Sequence, residues 1–243
     1  MIEEYFTKAW EAYRKNALSF ALGILITIGV PTILMFIGAF ASGFSIAGSL
    51  STLNPATILT GSAIFIVFSI IGILVAIVLY AGLIKMSAEA IKGKTNLSTL
   101  FSTASQKAVP VIIASIIVGI ILGIISLILL SVFGGFGLLA GGFFGAIGLS
   151  MIGMLITYLI GLLFIFTIHG VVLNNLGAME AIKNSANIAK ANYLTLLVIL
   201  IGYTIILFLL SIIPVLGIIL GFGVIYPMLI IALTSLYLNA RKR

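Results

Sequence analysis

The feature that most constrains this chain is a set of three long stretches without a charged side chain. They cover residues 17–84, 108–168 and 191–240. A straight helix through the shortest of them would be roughly 75 Å long, whereas the hydrocarbon core of a bilayer is about 30 Å thick. Each stretch is therefore predicted to fold back on itself as a hairpin of two membrane-spanning helices.

Turn-forming residues place the bends of these hairpins. The predicted turns lie at residues 41–57, which contain Asn54 and Pro55, at the glycine-rich residues 134–148, and at residues 213–217. The six resulting spans are residues 17–40, 58–84, 111–133, 147–168, 194–213 and 218–238. Only 7% of the residues are charged and 63% are hydrophobic, whereas a soluble domain has roughly 25% charged residues. The chain is thus predicted to be all-α, a single polytopic membrane domain over residues 1–243.

The positive charges predict the orientation of this domain. All twelve Lys and Arg residues precede the first span, follow the last, or lie in the loops between spans two and three and between spans four and five. Because positive loops stay in the cytoplasm, both termini are predicted to be cytoplasmic in a cell membrane.

The first apolar stretch is too long for a signal-peptide core and is predicted to be retained. Cations at the ends of spans also explain the net charge of +7 without nucleic-acid binding.

An internal repeat divides the chain into three units, residues 1–85, 86–170 and 171–243, each a short amphipathic helix followed by a hairpin. The units align at offsets of 91 and 85 residues, with apolar positions spaced i, i+3, i+4 and i+7. The aligned sets are Phe6, Ala9, Trp10, Tyr13 and Ala17; Leu97, Leu100, Phe101, Ala104 and Ala108; and Ile182, Ser185, Ala186, Ala189 and Tyr193.

These amphipathic helices are predicted to lie in the head-group layer of the membrane. Trp10, Tyr13, Phe101 and Ile182 are candidate contacts to lipid or to a protein partner. The alternative is that the helices are elbows, which only fix how each hairpin enters the membrane.

No group of side chains predicts a catalytic centre, a cofactor site or a metal site. Cysteine is absent, and His169 is the single histidine, expected as an interfacial polar residue at the end of the fourth span. None of the five acids falls within a span, which disfavours a carrier that depends on an intramembrane carboxylate. Glu89 and Glu180 could form a carboxylate pair, but solvated charges are the expected reading. The chain is therefore predicted not to be an enzyme.

Glycine and proline residues mark candidate packing and bending positions. Gly119 with Gly123, and Gly217 with Gly221, have the spacing that lets two helices approach closely, within this chain or, alternatively, in a homo-oligomer. Pro31 and Pro227 lie inside the first and last spans and are candidate kinks. The glycine-rich residues 134–148 are expected to form a hairpin turn, with a re-entrant segment as the alternative.

Short motifs at the repeat junctions resemble those of other multi-span membrane proteins. They are Ala-Ile-Lys-Asn-Ser at residues 181–185, Lys-Ala-Asn at 190–192, Gly93-Lys94, and residues 227–237 with Arg241. In these motifs the chain resembles prokaryotic multi-span proteins that are similar to the membrane domain fused to some glycerophosphodiester phosphodiesterases. The catalytic domain of those fusions is a soluble barrel, for which this chain has no segment. The resemblance therefore implies a membrane module without known catalytic residues.

Two functional classes remain open from the sequence. The first is a non-catalytic membrane scaffold or accessory subunit, which engages membrane lipids or a cytoplasmic protein partner through its amphipathic helices. The second is a transporter or flippase for an apolar or amphiphilic solute, with a pathway between the hairpins near Pro31 and Pro227.

Overall fold

The computed structural model describes residues 2–50 and 55–241, and this part of the chain is all-α, without β-strands. Its elements are α1 (Ile2–Lys15), α2 (Ala17–Leu50), α3 (Pro55–Lys92), α4 (Leu97–Gly161), a 3₁₀ turn (Leu162–Phe164), α5 (Thr167–Asn174), α6 (Ala178–Ala191), α7 (Tyr193–Ser211), α8 (Pro214–Leu220), a π turn (Gly221–Ile225) and α9 (Tyr226–Ala240).

Several of these helices are apolar and long enough to cross a membrane, so the protein is a membrane protein. The five qualifying segments of the described chain are Ala17–Phe44, Leu59–Lys92, Leu97–Asn174, Tyr193–Ser211 and Val215–Ala240. The third is far longer than one crossing requires. It does not run straight, because the backbone leaves the helical conformation at Gly141 and Gly142. Gly142 has a φ of +60°, a conformation that glycine adopts without steric cost.

Close glycine contacts show that the two arms of α4 fold back on each other. A Cβ atom on Gly137 would overlap with the carbonyl group of Gly145, and the reverse holds as well. Farther from the bend, a Cβ atom on Gly153 would lie 3.2 Å from the carbonyl oxygen of Leu129. The reversal thus falls inside the predicted turn at 134–148, but it is two residues long. The other glycines of this stretch are helical, and Gly137 and Gly145 among them allow the close contact between the two arms.

The first and third hairpins also fold back. α2 and α3 pack along their length, with Gly38 against Phe68 and Gly72 against the carbonyl oxygen of Pro31. α2 extends to Leu50, so the first half of the predicted turn at 41–57 is helical, and residues 51–54 lie outside the described residues. The third bend lies at residues 212–213, so it overlaps only the first residue of the predicted turn at 213–217, and residues 214–217 are helical.

The hydrophobic core lies at one end of the three hairpins. Its largest fully buried side chains include Phe20, Leu83, Leu100, Phe166 and Tyr237. Lys and Arg side chains surround this core in shared surface cavities, and we therefore call it the basic end. Lys8, Lys15, Lys92 and Arg241 line one cavity, Lys85 and Lys107 a second, and Lys183 with Arg241 a third.

The opposite ends of the hairpins, which we call the tips, expose large apolar side chains. Leu139 is 86% exposed and Phe144 is 83% exposed, on either side of the bend in α4. Large apolar side chains of this kind face the lipid in a membrane protein, since lipid solvates them as well as a protein core does.

At the basic end, each short helical segment packs on a hairpin arm other than the arm that directly follows it in the chain. α1 packs across α9, the first turns of α4 pack on α3, and α6 packs on α5 and the 3₁₀ turn. The α3–α4 crossing is very close, because a Cβ atom on Gly82 would lie 2.9 Å from the Cα atom of Leu100. The chain breaks at Asn16 between α1 and α2, and at Asn192 between α6 and α7. α4 has no such break and continues through Pro110, so the second short helix is not separate from its span.

Candidate functional site

A basic cavity at the surface is the most distinctive site of the described chain. It has a volume of about 680 Å³ and lies between α1, the end of α3 and the end of α9. Four cations line it, Lys8, Lys15, Lys92 and Arg241, together with one acid, Glu11. Its remaining walls are mainly apolar or small, and include Ala12, Ala90, Ile91, Ser235 and Leu238. The cavity thus combines an excess of positive charge with an apolar lining.

The cations of this cavity differ in how they are paired. Lys8 Nζ donates to Glu4 Oε1 at 2.5 Å, and this hydrogen bond holds the pKa of the exposed Glu4 carboxyl below its usual value. Arg241 Nη1 donates to the neutral amide oxygen of Asn174 at 2.8 Å and forms no ion pair with another described residue. Lys15 and Lys92 have neither an ion pair nor a hydrogen bond within the described residues. The positive charge of the cavity is therefore mostly unneutralised.

Asn16 fixes the position of the cavity wall. Its side-chain Nδ2 donates to the carbonyl oxygens of Ala12 at 2.9 Å and Gly93 at 3.1 Å, and its Oδ1 accepts from the backbone N–H of Thr95 at 2.9 Å. The side chain is 5% exposed. Asn16 thereby joins the end of α1 to the loop after α3, which brings Lys15 and Lys92 to the same cavity.

Tyr13 ties α1 to the last hairpin. Its hydroxyl donates to the carbonyl oxygen of Gly223 at 2.8 Å. Residue 227, four positions later, would normally donate to that carbonyl in a helix, but it is a proline and has no N–H. The tyrosine hydroxyl therefore supplies the donor that Pro227 lacks, and burial raises the pKa of Tyr13.

The four candidate contact residues fall into two pairs. Trp10 is 47% exposed and Phe101 is 49% exposed, so both present apolar surface to the surroundings. Tyr13 is 8% exposed and Ile182 is 7% exposed, and both pack inside the protein. The structure therefore leaves Trp10 and Phe101 as the accessible contact candidates.

The candidate glycine pairs also differ. A Cβ atom on Gly119 or Gly123 would have no neighbour within 4 Å, so this face of α4 packs against nothing in the described chain. A Cβ atom on Gly217 would overlap with the backbone of Leu210, and one on Gly221 would lie 3.3 Å from the side chain of Leu207. Gly217 and Gly221 therefore lie at intramolecular helix contacts.

The two candidate kinks have different surroundings. Pro31 is buried, and α2 continues through it as part of Ala17–Leu50. Pro227 follows directly on the π turn Gly221–Ile225, where the helix is locally wider. An apolar groove of about 540 Å³ lies between these two regions and is lined by Ile28, Gly29, Thr32, Phe222 and Gly223, among others.

A polar cluster, which sequence reasoning missed, links α5, α6 and α9 at the basic end. Asn174 Nδ2 donates to the Tyr237 hydroxyl at 2.6 Å, and Asn184 Nδ2 donates to it at 3.0 Å. Ser185 accepts from the backbone N–H of Phe166 at 3.0 Å and donates to the carbonyl oxygen of Leu163 at 2.8 Å. The sequence signal that could have indicated this cluster was the motif at residues 181–185, which contains both Asn184 and Ser185.

His169 lies in the core and not at the interface, contrary to its expected place. It is fully buried, and its ring packs against Phe166 and Tyr237 with centroid distances of 5.5 Å in each case. Its Nε2 lies 3.2 Å from Thr234 Oγ1. The sequence revealed neither the 3₁₀ turn before α5 nor the burial of the His169 ring. The ring is enclosed by elements that are far apart in the chain, so its surroundings depend on the tertiary structure.

The two acids of the candidate carboxylate pair have different surroundings. Glu89 Oε2 accepts from the hydroxyls of Thr95 at 3.0 Å and Thr99 at 2.8 Å, which joins the end of α3 to the start of α4. Glu180 is exposed on α6. Within the described residues, no three His, Cys, Asp or Glu side chains are grouped to hold a metal ion.

Comparison with protein families matches residues 6–238 to a domain of unknown function, DUF7847. The chain belongs to this family. The match includes the basic cavity's lining from Lys8 to Leu238, the polar cluster and all three hairpins. No curated protein and no solved structure matches the chain. The resemblance to phosphodiesterase-fused membrane domains therefore stays a prediction.

Proposed function

We propose that this DUF7847 protein is a non-catalytic integral membrane scaffold or accessory subunit. In this proposal six spans form three amphipathic-helix-plus-hairpin repeats, and the basic end with both termini faces the cytoplasm. The helices at that end engage membrane lipid or a protein partner. The observation that carries the proposal is the pair of half-exposed aromatic side chains, Trp10 and Phe101, each next to a fully buried residue.

Burial at the aligned positions supports the repeat on which this proposal depends. Ala9, Leu100 and Ser185 occupy the same position of the three units, and each is 0% exposed. The inner faces of the three helices are thus used for packing within the chain. What remains for an outside contact is the neighbouring position, occupied by Trp10 in the first unit and Phe101 in the second.

The packing order of the helices supports the same arrangement. The first helix of each unit lies on the second arm of another unit: α1 on α9, the start of α4 on α3, and α6 on α5 and the 3₁₀ turn. Three units that contact each other in a cycle form a closed ring. Such a ring presents one continuous surface of short helices, which suits a scaffold.

The test compares aromatic side chains at the two ends of the molecule. Trp10→Ala and Phe101→Ala are expected to weaken retention of lipid or partner when the protein is purified in native lipid and analysed by mass spectrometry. Phe144→Ala is the control, since Phe144 is an exposed aromatic residue at a tip. Unaltered co-purification in both variants, or equal loss in the control, would contradict the proposal.

A second candidate function, a transporter or flippase for an apolar or amphiphilic solute, is favoured by the apolar groove between α2 and the π turn. Its lining includes Thr32, which follows Pro31 in the sequence, and Gly223, which precedes Pro227 by four residues. Transport predicts solute flux in liposomes that falls when Pro31 and Pro227 are replaced by alanine. Absence of flux for every lipid-like solute tested would leave the scaffold as the better account.

A further inference from the structure

The basic cavity brings together cations that are far apart in the sequence. Lys8 and Lys15 come from α1, Lys92 ends α3, and Arg241 follows α9. Like charges repel when they are brought close, and the repulsion grows near a low-dielectric core. Glu11 is the single acid among the lining residues. An arrangement of this kind is stabilised when an anion occupies the cavity.

Helix C-termini favour the positions of two of these cations, because Lys15 and Lys92 lie in the last turns of α1 and α3. Carbonyl groups at a helix C-terminus attract positive charge when they lack a hydrogen-bond donor. Here several already have one: Ala90 O accepts from Gly93 N at 3.1 Å, and Gly93 O accepts from Asn16 at 3.1 Å. The positive charge of Lys15 and Lys92 is therefore available to a ligand.

The shape and lining of the cavity indicate an amphiphilic ligand. Its volume of about 680 Å³ lies within the range typical of small-molecule sites. Ala12, Ala90, Ile91 and Leu238 supply apolar walls beside the cations. The cavity also sits at the end of helices that are long enough to cross a membrane, where lipid head groups lie.

We propose that the basic cavity binds the phosphate-bearing head group of an anionic phospholipid. The phosphate contacts Lys15 and Lys92, with Lys8 and Arg241 adding positive charge, and the glycerol portion lies along the apolar wall. The inference deepens the proposed scaffold function by naming the lipid class. It concerns different residues from Trp10 and Phe101, so the two can fail separately.

The test uses full-length protein in nanodiscs of phosphatidylcholine, with and without a minor fraction of phosphatidylglycerol. Retained lipid is measured by native mass spectrometry after release into detergent. The wild-type protein is expected to retain phosphatidylglycerol in preference to phosphatidylcholine. The double variant Lys15→Gln and Lys92→Gln is expected to lose this preference by about tenfold or more, because each basic residue near a membrane surface contributes about 1 kcal/mol to anionic-lipid binding.

A matched control separates the cavity from general surface charge. Lys183→Gln with Lys190→Gln removes the same charge from α6, and neither residue lines the cavity. Full retention by this control supports the proposal, whereas equal loss in both double variants overturns it. Lys15 and Lys92 are exposed, so their replacement does not disturb the core, and a monodisperse elution profile verifies folding.

A second arm distinguishes lipid from free phosphate. Glycerol phosphate is added to the wild-type protein in purely neutral nanodiscs, and its binding is measured by isothermal titration calorimetry. Binding of glycerol phosphate without any preference for phosphatidylglycerol would identify a soluble ligand and overturn the lipid assignment. Preference for phosphatidylglycerol with dependence on both lysines supports it.

Discussion

The basic end and the tips of the hairpins both contain many large apolar side chains but are held together differently. At the basic end, helices from different parts of the chain interlock through buried side chains and through hydrogen bonds such as those of Asn16 and Tyr237. At the tip of α4, Gly137 and Gly145 contact only each other's arm. Because lipid solvates apolar side chains as well as a core does, hydrophobicity alone does not draw the tips together. The difference indicates that close backbone packing and buried polar bonds determine where this fold is rigid.

The largest expected effect comes from a methyl group added at the basic end. Gly82→Ala places a Cβ atom 2.9 Å from the Cα atom of Leu100, so α3 and α4 must move apart. We expect a loss of about 3 kcal/mol in the free energy of unfolding, measured by denaturation in detergent. Gly119→Ala is the control, because its Cβ atom meets nothing within 4 Å.

The same substitution at a tip sharpens the comparison. Gly137→Ala also overlaps with backbone, that of Gly145, but the arms of the tip are free to separate into lipid. We expect a smaller loss than for Gly82→Ala. A loss as large as that of Gly82→Ala would show that the tips are as tightly constrained as the basic end.

Removal of one hydroxyl from the polar cluster is expected to have the next largest effect. Tyr237→Phe leaves the amide groups of Asn174 and Asn184 without their shared acceptor. The expected cost is about 2 kcal/mol, since partly buried donors lose a partner. Tyr158→Phe serves as the control, because Tyr158 is 54% exposed on α4. Equal stabilities of the two variants would argue against a role for the cluster in stability.

The bond between Tyr13 and Gly223 gives a smaller effect and a more specific test. Tyr13→Phe is expected to cost about 1 kcal/mol, because the carbonyl oxygen of Gly223 then has neither a hydroxyl nor a proline amide as donor. In a Pro227→Ala background the new amide at residue 227 can donate to that carbonyl. The cost of Tyr13→Phe should therefore fall in that background, and a double-mutant cycle measures the difference. Strict additivity would mean that the tyrosine does not compensate for the proline.

The smallest effect is expected for an exposed side chain at a tip. Leu139→Ala should change the free energy of unfolding by less than about 0.5 kcal/mol, because Leu139 is 86% exposed. A loss of unfolding free energy as large as that of Tyr237→Phe would contradict the difference between the two ends, since it would show that the tip contains stabilising contacts.

The sequence predicted the all-α class and the folding back of the apolar stretches, because both follow from bilayer thickness and from the positions of glycine and proline. It overestimated the turn at residues 134–148, since glycines that allow close helix contact look the same in a sequence as glycines that form a turn. The continuity of α4 through Pro110 was also missed, because a short helix and the following span differ in composition but not in backbone conformation.

The candidate site was less accessible to sequence reasoning than the fold. Trp10 and Phe101 followed from helical periodicity, but the same pattern could not show that Tyr13 is buried by the last hairpin. The basic cavity joins Lys15 to Lys92 and Arg241, and this proximity depends on the contacts of α1 with α3 and α9. The local sequence around residues so distant in the chain does not indicate that they lie close together in the fold.

The continuity of α4 has a mechanical consequence. At Asn16 and Asn192 the helix is interrupted between a short helix and the hairpin arm that follows it. α4 has no such interruption between Leu97 and its bend at Gly141, so its first arm is a single helical lever roughly 65 Å long. A tilt of about 10° at the basic end would displace the far end of this lever by roughly 11 Å. A small tilt of the first turns of α4 is therefore expected to be amplified at the tip of the second hairpin.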